Sequence, residues 1–164
     1  MGQSAGMVHE RIMTDPTRKR VIIFDIDGTL ANVDHRVHHL HGRDKDWGAF
    51  FAAADADRPH DEIAYLNRML AADPHNVVLI VTGRPERQRA ATLDWLERHG
   101  IRFDAAFFRP TNDRREDSQV KGDILEQIIA DYGMPYLVFE DRARVVDMWR
   151  SHGIRCLQVD VGDF

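Results

Sequence analysis

Two aspartates two residues apart, Asp25 and Asp27, are the side chains of this sequence best placed to do chemistry. An apolar run at residues 21–24 precedes them and Gly28 follows, a pattern that predicts a buried strand ending in a tight turn. Within a strand such residues point to the same side, so the two carboxyls could share a face until the backbone bends at Gly28. Carboxylates there are costly to desolvate unless a cation lies beside them. The pair therefore predicts a nucleophile and its acid, next to Mg²⁺ and a phosphate group.

Further polar residues fall at the predicted ends of later strands, where open α/β sheets bind their ligands. They are Thr82, Gly83 and Arg84 after the second strand, Arg109 after the third, Glu140 and Asp141 after the fourth, and Lys121 at a helix start. Singly, each has an ordinary structural explanation, such as a turn, a helix cap or a solvated charge. Together and in this order they supply what phosphoryl transfer through an aspartate needs: hydrogen-bond donors for phosphate, a cation, and carboxylates for Mg²⁺.

Hydropathy along the chain alternates short β-branched apolar runs with longer segments of helical period. That alternation indicates βα units around a mostly parallel sheet flanked by helices. The predicted strands are residues 20–26, 76–82, 104–108, 136–140 and 154–159. The predicted helices are residues 60–72, 86–99, 119–132 and 141–152. The sequence therefore predicts an α/β domain with a five-stranded sheet over residues 20–164, after a flexible lead-in at residues 1–19.

Residues 31–59 lie outside this alternation and separate the first strand from the first regular helix. A usual βα connection has only about 2–6 residues. Two short helices, around residues 33–41 and 46–54, would fit the segment and would lie beside the aspartate pair. We therefore predict a small helical cap inserted after the first strand.

Histidines in this cap leave three interpretations open. His35, His38 and His39 would lie along one helical face, as in a zinc site, although no cysteine is near. The same run, which also holds Asp34 and Arg36, suits a substrate-facing lid or plain solvated surface.

Three aromatic residues of the cap, Trp47, Phe50 and Phe51, have two interpretations. Such rings can stack on a nucleobase. They can also be the hydrophobic contact between the cap and the domain, which is the interpretation we favour for Phe50.

Composition narrows the class of protein. The 164 residues are 43% apolar and 30% charged, enough to bury one core. No apolar stretch approaches the length of about 18 residues that spans a bilayer. The net charge of −5 argues against coating nucleic acid by general electrostatics, although not against binding one end of a strand. Because Cys156 is the single cysteine and residues 1–19 hold no apolar leader, we expect a cytoplasmic protein.

Residues 25–29, Thr82, Lys121 and the pair Glu140 and Asp141 resemble the four motifs of the haloacid dehalogenase (HAD) superfamily. The resemblance covers residues 20–164 and implies a Rossmann-like sheet, Mg²⁺ and an aspartyl-phosphate intermediate. More narrowly, the phosphatase domain of bacteriophage-type polynucleotide kinase/3′-phosphatases is similar to this chain over residues 81–84, 108–121, 139–150 and 158–164.

The resemblance implies roles for the motif residues. Asp25 would attack phosphorus and become phosphorylated, while Lys121 and Mg²⁺ hold the negative oxygens together. Asp27 would protonate the departing hydroxyl and then deprotonate the hydrolytic water, and its main-chain carbonyl would contact the metal. Thr82 and the amide of Gly83 would donate hydrogen bonds to the phosphoryl oxygens, as an oxyanion hole does.

Four more residues complete the implied site. Asp141 would bind Mg²⁺ directly or through water with Glu140 beside it; the family usually has two aspartates here, so the direct ligand stays open. Arg84 and Arg109 match arginines of the phosphatase family and could clamp the phosphate or the next one along a strand. The alternative for both arginines is an ion pair with a neighbouring carboxylate, such as Glu86 or Asp113.

These expectations converge on an Mg²⁺-dependent phosphatase that removes the 3′-phosphate of a DNA or RNA end. A nucleotidase acting on free mononucleotides would use the same core and agrees better with the acidic charge. A catalytically silent end-binding protein is the remaining alternative. The sequence contains no Gly-x-x-x-x-Gly-Lys-[Ser/Thr] loop and so predicts no kinase of its own. A separate polynucleotide kinase or ligase could then be a partner.

Overall fold

The computed structural model of the protein describes residues 19–162, so the predicted lead-in lies outside the described residues apart from Lys19. The strands are β1 (Arg20–Phe24), β2 (Ala31–Asn32), β3 (Arg58–Pro59), β4 (Asn76–Pro85), β5 (Ala105–Arg109), β6 (Pro135–Glu140) and β7 (Cys156–Gln158). The α-helices are α1 (Trp47–Ala52), α2 (Asp61–Ala71), α3 (Arg89–Arg98), α4 (Asp117–Tyr132) and α5 (Ala143–Ser151). One parallel sheet has the order β5-β4-β1-β6-β7. The predicted α/β fold with a five-stranded sheet is confirmed.

β1 occupies the middle of the sheet because its side chains are apolar on both faces. Val21 and Ile23 pack with α4 and α5 in one core, whereas Ile22 and Phe24 pack with α2 and α3 in another. Phe24 also stacks on Phe139 of β6, with ring centroids 4.4 Å apart. Helices therefore cover both faces of the sheet, and the carboxyl ends of β1, β4 and β6 meet at one edge. Within residues 19–162, none of the helices is long and apolar enough to cross a membrane.

Two element boundaries differ from the prediction in a way that matters for the site. β1 ends before Asp25, so Asp25 and Asp27 lie in the loop after the strand rather than on it. Ile26 between them is fully buried, which is why hydropathy extends the predicted strand too far. α4 begins at Asp117, so Lys121 lies one turn inside the helix instead of opening it. Asp117 lies in the first turn of α4, where the helix dipole favours a negative charge.

Residues 31–59 form the small cap, with less helix than predicted. β2 and β3 pair antiparallel and close the base of the insertion. α1 follows Asp46, whose side chain accepts a hydrogen bond from the main-chain N–H of Ala49 at 2.8 Å and so caps the helix. A single 3₁₀ turn, Val37–Leu40, replaces the helix predicted at residues 33–41. His35 therefore precedes the helical turn and does not share a helical face with the other histidines.

Val33, Leu40 and Phe50 form a small hydrophobic core inside the cap. Phe50 is 1% exposed and is a packing residue, but its partners in this core are other cap residues and not, as predicted, residues of the main domain. The two major cores are also compact, and Trp149 of α5 lies fully buried in the one beside α4.

We expect Trp149→Ala to lower the free energy of unfolding by about 3–5 kcal/mol, because the change loses the burial of the indole and leaves a cavity. Urea denaturation followed by circular dichroism measures the loss. Tyr136→Ala is the matched control: that residue is 58% exposed, and its removal should change stability by less than about 0.5 kcal/mol. A Trp149→Ala protein as stable as the wild type would contradict the described packing.

Candidate active site

Lys121 joins three elements at the carboxyl edge of the sheet. Its Nζ lies 2.7 Å from Oδ1 of Asp25, 2.7 Å from Oε2 of Glu140 and 3.2 Å from Oδ2 of Asp117. Lys121, Asp25 and Glu140 are all buried, so water screens these ion pairs weakly. The loop after β1, helix α4 and the end of β6 therefore meet at one ammonium group.

Asp141 completes a cluster of buried carboxylates. Asp25, Glu140 and Asp141 each offer one oxygen within 4.8 Å of the others, the one such metal-type group among residues 19–162. Oδ1 of Asp141 accepts a hydrogen bond from the hydroxyl of Thr29 at 3.2 Å. Its Oδ2 is buried and has no hydrogen-bond partner within the described part of the chain. A buried carboxylate oxygen without a donor is costly unless a cation lies against it.

Two glycines allow the backbone to lie close against the Asp141 carboxylate. A Cβ on Gly28 would lie 2.2 Å from Oδ2 of Asp141, and a Cβ on Gly162 would lie 1.7 Å from the same oxygen. Gly28 also has a φ of +87°, in the left-handed region that favours glycine. Any side chain at either position would collide with the unpartnered oxygen and displace the Asp141 carboxylate.

Burial changes the acidity of this cluster. Burial raises the pKa of Asp25 to about 8, with the charge of Glu140 adding to the rise. Burial also raises the pKa of Glu140 to about 7 and that of Asp141 to about 7. A divalent cation would relieve the repulsion among these carboxylates. Mg²⁺ prefers oxygen ligands and completes its six-fold coordination with water, so the three carboxylates present fit that ion.

Asp27 has different partners from Asp25. Its Oδ1 accepts hydrogen bonds from Nη2 of Arg36 at 2.5 Å and from Nη2 of Arg84 at 2.6 Å. Burial alone would raise the pKa of Asp27, but the charges of Arg84 and Arg36 outweigh it and hold the pKa well below the usual range. Asp27 is therefore ionised in this arrangement. It could act as an acid only once another anion draws the arginines away.

Asp57, the residue before β3, holds both arginines from the other side. Its Oδ1 accepts a hydrogen bond from Nε of Arg36 at 2.7 Å and pairs with Nε2 of His35 at 2.8 Å. Its Oδ2 accepts from Nη2 of Arg36 at 2.6 Å and from Nη2 of Arg84 at 3.1 Å. The Asp57 side chain is fully buried. Sequence reasoning missed Asp57 and treated Arg36 only as part of the histidine run; no local pattern marks either one.

The predicted phosphate-binding residues Thr82 and Gly83 lie within β4 and not at its end, because the strand continues beyond them. They lie beside a further ion pair. Thr82 is fully buried, and its Oγ1 accepts a hydrogen bond from the main-chain N–H of Arg84 at 3.2 Å. The carbonyl of Gly83 accepts from Nε of Arg109 at 3.0 Å. Nη2 of Arg109 in turn lies 3.1 Å from Oδ1 of Asp117. A Cβ on Gly83 would lie 2.5 Å from that oxygen, so the absence of a side chain permits the close approach.

Asp117 is a second residue that sequence reasoning missed. The sequence feature that could have identified Asp117 is its position four residues before Lys121, a helical spacing at which opposite charges pair. The ion-pair alternative for Arg84 and Arg109 named the wrong carboxylates. Glu86 pairs with Arg89, and the carboxylate of Asp113 pairs with Arg115.

The geometry does not support the zinc interpretation of the cap histidines. His35 pairs with Asp57, whereas His38 packs against His39 with ring centroids 4.0 Å apart. In the part of the chain that the structure describes, the metal-type cluster contains carboxylates and no histidine.

Comparison with known proteins identifies the family. The model of the polynucleotide kinase PNKP phosphatase domain matches residues 19–164. The chain belongs to this family. It is 30% identical to a chain in a solved structure of the Pnkp1/Rnl/Hen1 complex and 30% identical to one in a structure of the Pnkp1/Rnl/Hen1 RNA repair complex, with TM-scores of 0.75 and 0.76. Each match covers 92% of this chain but only 49% and 45% of those chains, so the sequence spans about half of their length.

More distant structures share the fold. One is a HAD family enzyme from Bacteroides thetaiotaomicron in complex with magnesium and inorganic phosphate, 12% identical, with a TM-score of 0.55 over 89% of this chain and 96% of that one. Another is a putative beta-phosphoglucomutase from Thermotoga maritima, 17% identical, with a TM-score of 0.55 over 84% and 83%. The fold and the family together make this chain a phosphatase of the HAD superfamily.

The raised pKa values predict how stability depends on pH when no divalent cation is added. Asp25, Glu140 and Asp141 lose their protons at about 8, about 7 and about 7 in the folded protein but near 4 when unfolded. The unfolded chain therefore binds fewer protons in between, and stability falls as pH rises from about 5 to about 8. Carboxyl groups with lowered pKa values, such as that of Asp27, change protonation state below this pH range and so do not alter the expected fall. Thermal unfolding in EDTA at several pH values measures the fall.

Added Mg²⁺ should raise the unfolding temperature more at pH 8 than at pH 5, because the cation binds the deprotonated cluster. An equal effect of Mg²⁺ at both pH values would contradict the assignment of this cluster to a cation.

Gly162→Ala should weaken the response to Mg²⁺, since its Cβ would collide with Oδ2 of Asp141 and displace that carboxylate from the cluster. We expect the Mg²⁺ concentration for half-maximal phosphate release to rise about 10-fold or more. Gly122→Ala is the matched control, because a Cβ on this α4 glycine meets nothing within 4 Å. A wild-type Mg²⁺ requirement in Gly162→Ala would contradict the assignment of Asp141 as a ligand of the cation.

Proposed function

We propose that this phosphatase removes the 3′-phosphate from DNA or RNA ends in an Mg²⁺-dependent reaction with an aspartyl-phosphate intermediate. The proposal is carried by the ammonium of Lys121, 2.7 Å from Asp25, beside two further buried carboxylates. An aspartate held between a cation and a metal-type cluster is suited to attack a phosphate dianion that would otherwise repel it. Membership of the PNKP phosphatase family supports nucleic-acid ends as the substrate class.

The proposed reaction has two displacements. A bond forms between a carboxylate oxygen of Asp25 and phosphorus while the bond from phosphorus to the 3′-oxygen breaks, and Asp27 gives a proton to that oxygen. Water then attacks the phosphorus atom on Asp25 while Asp27 takes a proton from the water. The bond from phosphorus to the Asp25 oxygen breaks, and inorganic phosphate leaves. Asp25, Glu140 and Asp141 would hold Mg²⁺, with the main-chain carbonyl of Asp27 as a further predicted ligand. The ion supplies positive charge next to the phosphoryl oxygens.

Arg36 and Arg84 would bind the incoming phosphate and thereby free Asp27. A phosphate with two negative charges competes for guanidinium groups, each of which can grip two oxygens at once. As the arginines turn to the phosphate, Asp27 loses the charges that keep its pKa low and can carry a proton. Thr82 and the amide of Gly83 remain the proposed donors to the phosphoryl oxygens.

Arg109 is proposed to meet the strand beyond the terminal phosphate, with its orientation set by Asp117 and by the carbonyl of Gly83. The related chains come from structures of the Pnkp1/Rnl/Hen1 RNA repair complex. We therefore propose that this chain works beside separate end-repair enzymes, such as a polynucleotide kinase or a ligase.

Asp25→Asn should lower kcat for release of phosphate from a 3′-phosphorylated oligonucleotide by about 10³-fold or more, because an amide cannot form the intermediate. A colorimetric assay of inorganic phosphate in the presence of Mg²⁺ measures the rate. Asp131→Asn, at an exposed position of α4, is the matched control and should keep the wild-type rate. Full activity in Asp25→Asn would disprove the proposed nucleophile.

A nucleotidase acting on free mononucleotides is the second candidate, and the net charge of −5 favours it. The same assay with 3′- and 5′-mononucleotides separates the two functions. Rates on mononucleotides equal to or above those on the oligonucleotide would favour the nucleotidase.

A further inference from the structure

One face of α1 carries three aromatic rings, two of which lie near the arginines of the site. Trp47, Phe50 and Phe51 stand at positions i, i+3 and i+4 and so share a helix face. The centroid of the buried Phe50 ring lies 4.0 Å from the guanidinium carbon of Arg36. Phe51 lines a small cleft between the cap and α3 together with Arg84. This aromatic face of the cap therefore borders both arginines.

Trp47 stands at the open end of that face. Its indole makes an offset stack with the Phe51 ring, at 5.9 Å and an interplanar angle of 27°, and meets the Phe50 ring edge-on at 5.7 Å. These contacts hold the indole in place, yet Trp47 remains 37% exposed. The ammonium of Lys45 lies 5.8 Å from the indole centroid. A fixed aromatic surface that is open to solvent and next to a cation suits a flat ligand with negative charge.

We propose that Trp47, backed by Phe51, stacks on the base of the terminal nucleotide whose 3′-phosphate lies at Asp25. This inference rests on the proposed function. The residues proposed above contact only phosphate groups, whereas Trp47 would contact the nucleoside. Phe50 takes no part because the guanidinium of Arg36 covers its ring. Stacking tolerates any base, since every base has a π face, and it distinguishes a nucleotide from a phosphate ester that has no base.

Kinetics on two 3′-phosphorylated oligonucleotides test the stacking. The strands differ only at the terminal residue, which carries a base in one and is abasic in the other. Trp47→Ala should lower kcat/KM about 10-fold on the base-bearing strand, mainly through KM. On the abasic strand it should change kcat/KM less than about 2-fold, because the two losses are not additive when one contact accounts for both. Trp47→Phe should keep most of the activity, and Tyr65→Ala, an exposed aromatic on α2, is the matched control.

Tryptophan fluorescence gives a measurement that does not depend on turnover. The chain has three tryptophans, and two of them, Trp95 and Trp149, are 0% exposed. A ligand on the surface can therefore reach only Trp47. In the Asp25→Asn protein with Mg²⁺, the base-bearing oligonucleotide should quench emission and the abasic strand should quench little. Adding Trp47→Phe should remove the quenching.

Equal losses on both strands in Trp47→Ala would overturn the inference, because a ring that only supports the cap affects both substrates alike. Unchanged kinetics without quenching would overturn it as well. Failure of the proposed function looks different, since the wild type would then release no phosphate from either strand, and the base contact would fall with it. If Trp47→Ala does not fold, Trp47→Phe and the quenching experiment still decide the question.

Discussion

The rest of the site depends on the ion pairs that the ammonium group of Lys121 makes. Carboxylates from the loop after β1, from α4 and from β6 all lie within 3.2 Å of it, where water screens charges weakly. Together with Asp141 these negative charges outnumber that ammonium, so the arrangement needs protons or another cation. Because of their burial and this excess of negative charge, the carboxyl groups of Asp25, Glu140 and Asp141 hold protons more tightly, and their pKa values are raised. A cation bound between Asp25, Glu140 and Asp141 would relieve this excess.

A second charged cluster lies next to the first, and in it the arginines and aspartates are equal in number. Arg36 and Arg84 stand between Asp27 and Asp57, two cations between two anions. Asp25 and Asp27, two residues apart in sequence, therefore have opposite pKa shifts. The roles proposed for them require both shifts to be reversed, for Asp25 by a cation bound to its cluster and for Asp27 by a phosphate that binds its arginines. Because Arg36 and Asp57 both belong to the inserted cap, the cap takes part in the electrostatics of the site as well as covering it.

Hydropathy predicted the fold well because most strands of the sheet contain an apolar run that is separated from the next by a helix of regular period. The predictions fail where a buried apolar residue does not belong to a strand or helix. Ile26 is buried but lies in a loop, so the first strand is predicted too long. The helix predicted at residues 33–41 fails for a related reason. Val33 and Leu40 are apolar because they fill the core of the cap, although only one 3₁₀ turn joins them. Without that helix, the common face proposed for the histidines does not form.

The sequence by itself determined the order of strands and helices along the chain and the residue types at the strand ends, including Asp25, Lys121 and the pair Glu140 and Asp141. Only the tertiary structure decided which charges meet. Lys121 binds Asp25 across 96 residues of chain, and Arg84 binds Asp27 across 57. Hydropathy and turn patterns depend on neighbours a few residues away, whereas an ion pair depends on where distant segments come together. A fully buried aspartate such as Asp57 therefore looks, in the sequence, like any aspartate on the surface.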